Sequence, residues 1–139
     1  MTAREFLTQQ IEDAHFALKK VLRDFPETAI DYRAIPTMKT PRETALHLCE
    51  CYVAASRVAH GENHAWGSYT TDTADWGRLN DELDHLQQVA YNDFMADHSN
   101  ERLREASEFL VEHIHYHVGQ LCTLRLNAEA DWNAYSIYR

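Results

Sequence analysis

The 139-residue sequence predicts an all-α fold, a single helical-bundle domain spanning residues 1–139. Three observations predict it. Glycine and proline are scarce, four and three in the whole chain, so long stretches run without a helix breaker. Four segments carry apolar residues at steps of three and four, the period of a packed helix. Two of those segments open on a threonine followed three residues later by glutamate, the pattern of a capping box.

The first helix is expected from about Ala3 to Asp24. Thr2 and Glu5 form its capping box, and Leu7, Ile11, Ala14, Leu18, Val21 and Phe25 trace its seam. Pro26 marks its end. The second helix starts at Pro41, with Thr40 as N-cap and Glu43 completing the box, and Gly61 closes it. Its inward stripe reads Thr44, His47, Cys51, Ala54 and Val58. The third helix is expected over Asp75 to Asp97 on Trp76, Leu79, Leu83, Leu86 and Ala90. Ser99 is expected to cap the fourth, which continues to about Leu126 along Leu103, Ala106, Leu110, His113, His117, Leu121 and Leu124. Few residues separate helices three and four, so those two are expected to be antiparallel. Residues 61–72 separate helices two and three; twelve extended residues reach roughly 40 Å, enough to run back along a helix of about 30 Å. The tail from Asp131 to Arg139 is aromatic and is expected to pack on the bundle or on a second subunit.

Composition excludes several functions. The net charge of −9 and the scattered basic residues argue against nucleic acid or an anionic membrane as partner. No apolar run approaches the roughly 20 residues needed to cross a bilayer, and the N-terminus does not read as a signal peptide. Cys49, Cys51 and Cys122 are odd in number and contain no C-x-x-C pair, which suits a reducing cytoplasm.

Chemistry concentrates in the histidines. His113 and His117 stand four residues apart on a stripe where leucine or isoleucine is expected. Buried imidazoles need partners for their nitrogens, and a shared metal ion would satisfy both rings at once. His47 is a third histidine on an inward stripe. Three neutral imidazoles make a sensible set for a first-row divalent ion and leave a coordination position open. Zinc or nickel is expected, with iron or manganese as alternatives. His115 points to another side of its helix. Cys51 shares a face with His47 and reads either as a small core residue or as a fourth ligand of a closed, structural site. Glu50, three residues after His47, reads either as a solvated carboxylate or as an acceptor behind the ligands.

With these residues in view, the chain resembles the DinB-like (YfiT-type) superfamily of four-helix-bundle metalloproteins. The resemblance rests on His47 in the setting Pro41-Arg42-Glu43-Thr44-Ala45-Leu46-His47-Leu48, and on His113-x-x-x-His117-Val118-Gly119-Gln120-Leu121 followed by Leu124-Arg125. It implies an up-down-down-up bundle with residues 61–72 as the crossover. It implies His47, His113 and His117 as the metal triad, with Gln120 beside the ligands in a packing or hydrogen-bonding role. A homodimer, paired through an isologous interface, is expected from the aromatic tail and from the habit of the family.

The family is functionally mixed, so it implies a fold and a metal but no single reaction. The expected function is a metal-dependent enzyme of the thiol S-transferase or hydrolase type. Its substrate would be a small molecule, with a low-molecular-weight thiol as a candidate partner. Residues 61–75, with His64, Trp66 and Tyr69, are expected to shape the mouth of its cleft. The alternative is a non-catalytic metal-binding or stress-response bundle. A hemerythrin-like oxygen carrier is set aside, because His15 and His85 lack the accompanying carboxylate spacing.

Overall fold

The computed structural model describes residues 1–139 and contains four long helices and no strand. Helix α1 is Ala3–Leu22, α2 is Pro41–Ala59 and α3 is Trp76–Ala96. The fourth, α4, covers 103–128: it is α-helical over Leu103–Ser107, π-helical over Glu108–Glu112 and α-helical again over His113–Ala128. No helix is long and apolar enough to cross a membrane.

The helix starts follow local chemistry. Thr2 and Glu5 cap α1 reciprocally, and Thr40 and Glu43 do the same for α2, with Pro41 where no N–H is needed. Asp75 accepts the Arg78 N–H at the start of α3. The expected cap of α4 is displaced. Ser99 donates its N–H and hydroxyl to Asp97, a turn that competes with helix entry, and the helix begins at Leu103 behind Arg102. Arg4 binds this turn to α1 through the carbonyls of Asp97 and Ser99.

Packing pairs the helices as follows. Helices α2 and α3 touch start against start and end against end: Arg42 reaches the carbonyls of Thr73 and Ala74, and His60 lies 3.8 Å from Asp93. Residues 60–75 therefore travel the length of this pair. Helix α1 meets α3 in the opposite sense, through His15–Asp84 at 3.3 Å and the Phe25–Trp76 ring contact. Ile11, Leu18, Leu48, Tyr52, Leu79, Leu83, Ile114 and Leu121 are buried in the shared core.

Arg125 locks α1 to α4. Its guanidinium donates to the carbonyls of Lys20, Val21, Arg23 and Asp24, the unpaired end of α1, while Glu129 pairs with it at 3.3 Å. Trp132 covers it at 4.5 Å, which begins the docking of the tail. A 3-10 turn at Ala134–Ile137 follows, and Arg139 pairs with Asp13 on α1. Tyr135 and Tyr138 stay exposed.

Candidate metal centre

The π turn determines which residues α4 presents. The His113 N–H bonds to the Glu108 carbonyl five residues back, so one residue is added to that turn. The fully buried stripe below it is Leu110, Ile114, Val118 and Leu121. The expected seam holds at Ala106, Leu110, His117, Leu121 and Leu124, which are buried; Leu103 and His113 are half-buried, and Ile114 and Val118 join the core beside it. The histidine pair lies beside the core, with His117 buried and His113 half-buried, toward α2. His115 is exposed.

The structure brings His47, His113 and His117 together. One ring nitrogen from each lies within 4.8 Å of the others. Ring centroids are 5.5 Å apart for His47–His113, 5.0 Å for His47–His117 and 4.6 Å for His113–His117. The Nε2 atoms of His113 and His117 are 3.0 Å apart. Ligand nitrogens bound at about 2.0–2.1 Å to a tetrahedral ion stand roughly 3.3 Å from one another. The donor set therefore fits a divalent ion with little side-chain adjustment. The same separation fits an N–H···N hydrogen bond between the two rings in the metal-free protein.

The imidazoles are held neutral. Burial, reinforced by His113 and His47, pushes the His117 pKa down to about 4. Burial lowers His47 as well, helped by Lys39 and His113, and burial lowers His113. Neutral imidazole is the form that binds a metal. His117 donates Nδ1–H to Gln120 Oε1 at 2.9 Å, which leaves Nε2 with its lone pair toward the cluster. Gln120 in turn donates to the Tyr116 hydroxyl at 3.2 Å.

Cys51 lies outside the ligand group. Its Sγ is 3.5 Å from His47 Nε2, and burial, with Glu50 adding, pushes its thiol pKa up to about 12. Glu50 does not touch the triad. Its carboxylate takes the His64 Nε2 at 3.1 Å, the Gly67 N–H at 2.9 Å and the Tyr69 N–H at 3.4 Å. Gly67 adopts φ +88 there, a conformation that favours glycine. Glu82 on α3 accepts from the hydroxyls of Tyr69 and Thr71. Two carboxylates thus clamp the crossover onto α2 and α3, and His64 and Tyr69 serve that clamp.

Trp66 lines a cavity of about 400 Å³ with His47, Cys51, Glu108, Phe109 and His113. His117 is absent from this lining, so His47 and His113 form the open side of the cluster. A larger cleft, about 530 Å³, lies between the end of α1 and the start of α3 and shares no residue with the triad. Glu108 carried no signal in the sequence, because its place at the cavity depends on the π turn, whereas Phe109, four residues before His113, shares its face in any helix. Compared with known proteins, the chain matches no family model, no curated protein and no solved structure. The resemblance drawn from His47 and the His113–Leu121 run therefore rests on those residues alone.

Proposed function

We propose that the protein is a metal-dependent enzyme acting on a small molecule, of the thiol S-transferase or hydrolase type known among the DinB-like proteins it resembles. The observation that carries this reading is the convergence of three neutral imidazoles whose open side borders a cavity. His47, His113 and His117 would hold the ion, zinc or nickel by ligand type, with iron or manganese as alternatives. Such an ion supplies Lewis acidity, holding a thiol or water as its anion near neutral pH.

The protein's own residues orient that chemistry. Gln120 holds the His117 ring in the ligating tautomer, and Ile114 and Val118 fix the helix behind it. Trp66 and Phe109 give the approach an apolar surface, which favours the apolar body of a substrate. The remaining expectations, a homodimer working in the cytoplasm, belong to the same proposal. They rest on the exposed Tyr135 and Tyr138 and on three free cysteines.

One observation favours the non-catalytic alternative: Glu50, three residues after His47, is taken up by the crossover and is not free to act as a base. Metal analysis of the purified protein tests the shared premise. About one divalent ion per chain is expected in the wild type and none in His117→Ala, with helical content retained. Undiminished metal in that variant overturns the reading. Turnover of a small thiol with an electrophilic acceptor, abolished in His47→Ala, then separates the enzyme from the metal-binding bundle.

A further inference from the structure

The cavity beside the triad is lined by His47 and His113, by the aromatic residues Trp66 and Phe109, and by Cys51 and Glu108. Trp66 is 60% exposed, yet it does not belong to a loose loop. Its ring meets His64 edge-on at 4.8 Å, and the His64 side chain is 3% exposed and bonded to Glu50. A large aromatic held rigidly at a cavity edge offers contact area at little entropic cost.

Glu108 stands at this cavity because of the π turn. Adding a residue to that turn brings Glu108, five residues before His113, to the face that Phe109 already shares with His113 at a spacing of four, while Leu110 remains in the core. The Glu108 Oε1 pairs with Arg104, whose side chain is 89% exposed, and Oε2 has no protein partner. An ion pair this exposed is weak and leaves the carboxylate available to an incoming cation. Aromatic faces beside a carboxylate attract a positively charged group and disfavour an anion. The net charge of −9 acts in the same direction over longer range.

We propose that this cavity takes a bifunctional organic cation: an apolar, preferably flat body against Trp66 and Phe109, an ammonium group toward Glu108, and a thiol at the opposite end for the histidine-bound ion. The proposal rests on the metal reading above and narrows its substrate class to aminothiols with an apolar spacer. A volume of about 400 Å³ accommodates a single-ring molecule of that kind.

Three thiols of one shape test it: 4-mercaptobenzylamine, 4-methylbenzenethiol and 4-mercaptobenzoate, titrated into cobalt-loaded protein and followed by the visible spectrum. The cationic thiol is expected to bind about tenfold more tightly than the neutral one, with the anionic one weakest. Glu108→Gln is expected to bring the cationic and neutral thiols within about twofold while leaving cobalt stoichiometry unchanged. Trp66→Leu is expected to weaken the cationic and neutral thiols by about fivefold. Equal binding of the three thiols, or a preference that survives Glu108→Gln, overturns the proposal and leaves the metal centre standing.

A second arm needs no metal. Benzyltrimethylammonium is expected to quench tryptophan emission of the metal-free wild type, and to do so less in Trp66→Leu and in Glu108→Gln. If the wild type binds no cobalt, the metal reading fails on its own count. Loss of the ammonium effect as well then removes the cation site, whereas its persistence keeps the cation selectivity without the thiol end.

Discussion

His117 donates its Nδ1–H to the side-chain oxygen of Gln120 over 2.9 Å, and this bond decides what the other nitrogen of the ring can do. A neutral imidazole has one N–H, so Nε2 is left as an acceptor, 3.0 Å from His113 Nε2. In the metal-free protein His113 must then supply the proton between them. To act as a neutral ligand through Nε2, His113 would carry its proton on Nδ1 instead, leaving both Nε2 lone pairs for an ion.

Removing the amide therefore weakens metal binding without removing a ligand. Gln120→Ala is expected to lower affinity by about tenfold, at the mild end of what outer-shell partners contribute. Gln120→Glu keeps the acceptor and is expected to retain most of the affinity. Competition against a chelator reads both. Equal affinity in Gln120→Ala and wild type would show that burial alone orients the ring.

The same burial makes the metal-free protein sensitive to mild acid. The His117 pKa is about 4 in the folded protein against 6.5 for a free histidine, and those of His47 and His113 are lowered too. As pH falls below about 6.5 the unfolded chain takes up protons that the folded one refuses, so the histidine contribution is lost progressively down to about pH 4. The lowered carboxylates Glu43, Glu50 and Asp84 carry the decline further into acid. His117 alone accounts for about 3 kcal/mol of the histidine contribution, from a pKa that falls from 6.5 to about 4. Urea unfolding of metal-free protein across this window checks it. His117→Gln should flatten the slope, and an unchanged slope there counts against the assignment.

The helices, their two capping boxes and the three histidines were legible because each depends on residues close in sequence or on one helical face. The π turn was not legible. One added residue inside Phe109-Leu110-Val111 leaves an apolar run that fits either helix type, so the spacing did not show that Ile114 and Val118 are buried beside His117 or that Glu108 reaches the cavity. Ser99 was misread because Asp97, two residues earlier, takes its N–H and hydroxyl. Glu50 and Arg125 carried no readable signal. Their partners are backbone groups of Gly67 and Tyr69 and of the end of α1, and spacing does not mark a backbone acceptor or donor far along the chain.

Cys51 is expected to be dispensable for the metal. Cys51 is buried and stands outside the three-histidine group, as a small core residue does, and in the metal-free protein burial holds the Cys49 and Cys51 thiol pKa values at about 12. Cys51→Ala should retain one ion per chain and cost about 1 kcal/mol or somewhat more in stability, as a small buried side chain does. Loss of metal in that variant would make Cys51 a ligand. Iodoacetamide at neutral pH should modify neither Cys49 nor Cys51 until the protein is unfolded, which peptide mapping can read.

Arg125 makes a different kind of contribution. Its side chain, 6% exposed, serves four carbonyls at the end of α1 that have no helical partner. Arg125→Ala leaves those carbonyls buried and unsatisfied and frees Trp132, at an expected cost of about 3 kcal/mol. Arg125→Lys recovers the charge without the fork of donors and should recover only part of it. Denaturant midpoints of the three proteins check the order; a loss under about 0.5 kcal/mol in Arg125→Ala would show that water replaces the guanidinium.

Glu50 gives the sharpest separation between a role in fold and a role at the site. Its carboxylate gathers the His64 ring and the backbone N–H groups of Gly67 and Tyr69, so its removal releases the middle of the crossover while Glu82 still holds Tyr69 and Thr71. Glu50→Ala is expected to leave the four helices folded and the triad able to bind metal, since Glu50 touches none of the three histidines. The Gly67 and Tyr69 amides should lose protection from hydrogen exchange, and the Trp66 ring should lose its fixed place at the cavity. Stability should fall by about 1–3 kcal/mol, the penalty for leaving such donors unpaired. Ligand affinity at the cavity should drop with metal content unchanged. Loss of metal in Glu50→Ala would instead place this carboxylate in support of His47, and an unchanged exchange pattern at Gly67 would mean that Glu82 alone holds the crossover.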